Sequence, residues 1–132
     1  MNIFLIKWIE RRYAMTNEEF NKILERRIEQ IKSTLSDKAK MYAIGDRLYN
    51  FKRSAEILRC SPHKALLGMF IKHLVSIIDL IEKSYTANSE LIDEKIGDGI
   101  NYLILLEAIF RENLSIDVEC FDCGECSNGD VK

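Results

Sequence analysis

The sequence predicts an all-α protein, a bundle of four to five helices, and three observations carry that expectation. One proline and six glycines in 132 residues leave few breakers, which favours long helices over strands joined by turns. Apolar residues recur three and four apart over residues 20–35, 48–58 and 66–81, and a nearly continuous apolar segment covers 100–110. A hydrophobic fraction of 47% beside 30% charged residues belongs to a chain that folds around a core of its own. Residues 1–14 read as an N-terminal extension, 15–114 as the helical domain, and 115–132 as an acidic tail rich in cysteine.

The extension carries Ile3, Phe4, Leu5, Ile6, Trp8 and Ile9, interrupted too soon by charge to be a secretory signal. It is either a plain extension or an amphipathic helix packed on the body or on a second subunit. Thr16-Asn17-Glu18-Glu19 has the form of a capping box. It opens an amphipathic helix with Phe20, Ile23, Leu24, Ile28, Ile31 and Leu35 inward and Lys22, Glu25, Arg26, Glu29 and Lys32 in solvent. From Asp37 to Arg53 the chain is expected to form a loop turning at Gly45 and then a helix start. Its cations stand among Tyr42, Tyr49 and Phe51, the company that a phosphate and a base would use. Leu48, Phe51, Ala55 and Leu58 continue a short helix to about Cys60. Ser61-Pro62 then starts a long one, to about Lys83, apolar over most of its girth. The polar connection 84–89 ends with Asn88 or Ser89 as the next cap. Its brevity sets the two flanking helices antiparallel and in contact.

Each of these two helices bears one polar stripe. Lys72, Ser76 and Asp79, with His73 beside them, interrupt the first; Glu94, Asp98 and Asn101 share a face of the second and run into its apolar part. Carboxylates at the edge of a core need a cation, a hydrogen-bonding ligand or a divalent metal. If the stripes face each other they form one polar site inside the bundle. A homo-oligomer is expected whichever way they face, because few other segments remain to cover so much apolar surface. His73 taken alone reads as a hydrogen-bonded structural residue.

Tyr42, Arg47 and Asn50-Phe51, then Lys72-His73 with Ser76 and Asp79, then Glu94-Lys95 with Gly97-Asp98 and Asn101-Tyr102 resemble small all-helical phage proteins related to the nucleotide-modification-associated domain. More distantly they resemble MazG-like nucleotide pyrophosphohydrolases. The resemblance spans about residues 15–113 and is most specific over 94–102. It implies an oligomeric, MazG-like helical protein whose site handles a nucleoside phosphate. It further implies magnesium held by carboxylates from two helices. Glu94 and Asp98 match the second half of that metal motif, four apart where the family has three. The paired glutamates of the first half are replaced by Lys72, His73, Ser76 and Asp79.

Two functions of different class follow, with a plainer third. In the first, Asp79, Glu94 and Asp98 hold Mg2+ for hydrolysis of a nucleoside phosphate, with Glu94 and Asp98 as the catalytic pair. Lys72 and Arg47 meet the phosphates and Tyr42 or Tyr49 the base, while His73, Ser76, Asn101, Tyr102, Asn50 and Lys52 complete the ligand contacts. In the second, the same pocket sequesters a nucleotide-derived immune signal without cutting it, an anti-defence role. The third is an oligomeric interaction module with no small ligand.

The formal net charge of −2 offers no attraction to nucleic acid or anionic membranes, and no apolar run reaches the roughly 20 residues a membrane span needs. A reducing cytoplasm is the expected compartment. Cys120, Cys123 and Cys126 would need a fourth ligand, such as Cys60 or His63, to hold Zn2+, so the tail is expected to be unliganded.

Overall fold

The computed structural model describes residues 2–3, 14–41 and 45–114. Most of the N-terminal extension, Tyr42 and the whole cysteine tail, each of which carried an expectation, lie outside the described residues. Those described form four helices and no strand: α1 (Asn17–Met41), α2 (Tyr49–Leu58), α3 (Pro62–Glu82), a 3-10 turn (Ser84–Thr86) and α4 (Ser89–Asn113). No helix among them is long and apolar enough to cross a membrane.

The helix starts follow from local chemistry. The Thr16 hydroxyl accepts the Glu19 backbone N–H (3.1 Å) while the Glu19 carboxylate accepts the Thr16 N–H (2.8 Å), closing the expected capping box on α1. Ser61 caps α3 by accepting from Lys64, with Pro62 in the first position, and Asn88 caps α4 by accepting from Leu91. α1 runs further than its apolar stripe, because residues 36–41 contain no breaker, and Gly45 stands at φ +80°. The stretch from Asp37 to Met41 is therefore helix and not the expected loop.

Leu48, Phe51, Leu66, Phe70 and Ile109 form the core, and Met69, Tyr102, Leu105 and Leu106 pack on it. All of these come from α2, α3, α4 and the turn before α2. α3 and α4 pack antiparallel: His63 meets Phe110, Phe70 stacks on Tyr102 at 5.5 Å, and His73 meets Tyr102 and Asp98. Gly99 lets them close, since a Cβ there would stand 2.9 Å from Ile77 Cδ1.

α1 differs from its expected role. It puts no buried residue into the core, and Phe20, Ile23, Leu24 and Ile28 on its apolar side are exposed. It is joined to α4 through polar groups instead. Both Arg26 and Arg27 grip the Asp93 carboxylate, and Arg27 also donates to the Asp93 carbonyl at 3.1 Å.

Candidate functional site

The stripe of Glu94, Asp98 and Asn101 faces a groove, and its opposite wall is α1. Arg27, Gln30, Ile31 and Thr34 line one side, and Asp93, Glu94, Gly97, Asp98 and Asn101 the other, around about 250 Å3. Helical spacing explains the α4 wall, because positions 94, 98 and 101 lie one above the next. Burial rises along it. The Glu94 side chain is 58% exposed and that of Asp98 36%, while Asn101 is buried as α4 enters the core.

Gly97 makes room for Arg27. A Cβ at that position would come within 2.7 Å of Arg27 Nη1, so only glycine leaves the guanidinium its present seat. Arg27 is mostly buried there and is fixed by Asp93, yet a guanidinium has five N–H donors and Asp93 does not use them all. Deeper in, two carboxamide oxygens are hidden from water with no hydrogen-bond donor among the described residues: Asn101 Oδ1 and Gln30 Oε1.

α3 reaches this region through His73, whose Nδ1 stands 3.3 Å from Asp98 Oδ2 and whose ring lies 4.7 Å from that of Tyr102. Lys72 and Asp79 are exposed and do not line the groove, and the Ser76 hydroxyl donates back to the Lys72 carbonyl at 3.0 Å. The second polar stripe thus does not oppose the first. α3 is already committed to α4 through its apolar flank, which turns Lys72 and Asp79 outward.

The residues proposed from the 42–53 stretch are dispersed. Arg47 reaches the Leu35 carbonyl at 3.5 Å. Lys52 bridges Asp46 (2.8 Å) and Glu112 (2.6 Å), so its ammonium ties α2 to α4 at the far end of the molecule. Tyr49 and Asn50 are exposed. None of the four lines the groove.

Among the described residues no three His, Cys, Asp or Glu side chains converge closely enough to hold a metal ion. Three carboxylates do share the groove wall, and the first of them, Asp93, is taken by Arg26 and Arg27. Glu94 accepts from Lys95 Nζ at 2.6 Å and Asp98 has His73.

Sequence reasoning missed Arg27, Gln30 and Thr34. A signal existed for the first: the apolar positions 20, 24, 31 and 35 leave a gap at 27, where an arginine interrupts the inward stripe. No family model, curated protein or solved structure matches the chain.

Proposed function

We propose that this protein binds a nucleotide or a nucleotide-derived small molecule in the groove between α1 and α4. The observation that supports this best is Asn101 Oδ1. A buried carboxamide oxygen without a donor costs about 1–3 kcal/mol, and a ligand N–H would recover it where the groove opens onto that oxygen. Gln30 Oε1 repeats the situation on the other wall. Two carboxamides at one groove offer the paired donor and acceptor edges that a nucleobase takes, and the spare N–H groups of Arg27 suit a phosphate.

The MazG-like resemblance adds Mg2+-assisted hydrolysis as the reaction. Magnesium is commonly held by one or two carboxylates together with substrate phosphates and water, a demand that Glu94 and Asp98 would meet without Asp79. The ion would polarise the phosphoryl group and acidify a water. The remaining residues bind and orient: Arg27 through its free N–H groups, Asn101 and Gln30 through their amides, and His73 from its place beside Asp98.

A second reading, sequestration without cleavage, is favoured by one observation. Glu94 is already paired with Lys95 and Asp98 has the His73 ring beside it, so Lys95 balances part of the charge of the groove with no ion.

One experiment tests both readings. The pure protein is heated with Mg2+ and a panel of nucleoside triphosphates and cyclic dinucleotides, and the products are separated by chromatography. At least one ligand at saturating concentration is expected to raise Tm by several degrees, and Arg27→Ala to abolish the rise. Turnover that disappears in Glu94→Gln and Asp98→Asn identifies a hydrolase, whereas a ligand recovered unchanged identifies a binder. No rise with any member of the panel removes the nucleotide reading and leaves the interaction module.

A further inference from the structure

Of the four described helices, α1 is the one that the core does not hold. Its half-buried side chains are Arg27, Gln30, Ile31, Thr34 and Leu35, and none of its described residues is buried. Four of these five line the groove, and two of the four are neutral polar groups. What fixes the helix is charge. The Asp93 carboxylate is shared between Arg26, whose side chain is 60% exposed, and Arg27, which is 16% exposed. A segment with few apolar contacts and a polar attachment opens at a smaller free-energy cost than the core it leans on.

The groove beneath α1 needs such an opening. Asn101 Oδ1 and Gln30 Oε1 are hidden from water although a space of about 250 Å3 adjoins them, so no ligand meets either oxygen while both walls stay in place. The α4 wall is committed, because Tyr102, Leu105, Leu106 and Ile109 of the same helix pack with Leu66 and Phe70. The wall that can move is α1.

We infer that α1 is a gate over the groove and that Asp93 is its latch. The helix swings from α4 about its C-terminal end, where Arg47 donates to the Leu35 carbonyl, and its release uncovers Gln30 and Asn101 together. This inference rests on the reading of the groove as a binding site and adds how that site is controlled. Arg27 couples the two states. A phosphate offers its guanidinium the charge-assisted hydrogen bonds that Asp93 supplies in the closed form, so the anion that needs the gate open also competes for the latch.

Amide hydrogen exchange of the full chain, followed by mass spectrometry with no ligand present, tests the motion. Peptides from 17–34 are expected to exchange roughly 100-fold faster than those carrying Leu66, Phe70 and Ile109, since a helix that leaves its support is marginal in water. Asp93→Ala should speed α1 by a further factor of about ten and leave the core peptides unchanged. Arg26→Ala, at an exposed position, should act in the same direction by a smaller factor, and it decides the matter if Asp93→Ala does not fold. Fraying in place would also speed exchange, so undocking is read separately. Gln30→Cys puts a thiol at the hidden position, and its alkylation by iodoacetamide is followed on its own peptide, apart from the natural cysteines. Adding Asp93→Ala should raise that rate about tenfold.

Protection of α1 equal to that of the core overturns the gate, and so does alkylation indifferent to both latch variants. Because neither measurement uses a ligand, the gate and the nucleotide reading fail separately. An α1 that opens while no nucleotide raises Tm upholds the gate and removes the nucleotide. A nucleotide that binds while α1 stays protected and the Gln30→Cys thiol unreactive removes the gate.

Discussion

Asn101 is where folding and binding pull apart. Its oxygen is buried without a donor, so a leucine, larger but with the same branching, removes an unmet demand and adds apolar contact in the same place. Asn101→Leu is therefore expected to raise stability by about 1 kcal/mol in urea denaturation and to abolish the ligand-induced rise in Tm. A loss of stability greater than that amount would show that the amide is satisfied inside the fold and kept for structure. Gly97 works in the opposite sense. Glycine inside a helix costs about 1 kcal/mol relative to alanine, and what it secures here is the seat of Arg27 over α4.

At the scale of elements, α2 is held by one small network. The Asp46 carboxylate accepts the Leu48 N–H at 2.9 Å, one turn before the helix proper, and the Lys52 ammonium at 2.8 Å. Lys52, and after it the Leu48 N–H, hold the Asp46 carboxyl below its ordinary 3.8. Asp46, and after it Glu112, raise the Lys52 ammonium above 10.5. For a lowered carboxyl the stabilisation is complete above the ordinary value and is lost as pH falls through the lowered one. For a raised ammonium it is complete below 10.5 and lost as pH rises through the raised value. Asp46→Ala should accordingly be less stable than wild type at pH 7, and the gap should narrow as pH falls from 4 toward 2, read as urea midpoints across that range. A gap that stays constant with pH would mean that the charge of Asp46 contributes nothing.

For the whole molecule, the uneven placement of apolar surface is the controlling fact. Three helices enclose a compact core, while Leu67, Ile71, Leu74, Ile78 and Ile81 of α3 stay exposed and α1 is attached through arginine and aspartate. If a second copy of the chain covers that exposed face, folding and association are linked and the unfolding midpoint depends on concentration. Tm is expected to climb by several degrees over a hundredfold increase in protein, and to stay constant for Ile71→Glu with Ile78→Glu. A constant wild-type Tm over that range would contradict the linkage.

Much of this was legible in the chain. The Thr16, Ser61 and Asn88 caps, the antiparallel α3–α4 pair and the common face of Glu94, Asp98 and Asn101 all follow from interactions within a few residues or from helical spacing, which sequence specifies directly. Only the tertiary structure decided that α1 supplies the opposite wall of the groove, that Asn101 is sealed without a donor, and that Lys72 and Asp79 face away. Periodicity states that a helix has a side to bury and leaves open what that side will meet. That choice falls to contacts between residues some 66 positions apart, Arg27 with Asp93 above all, which no local pattern encodes.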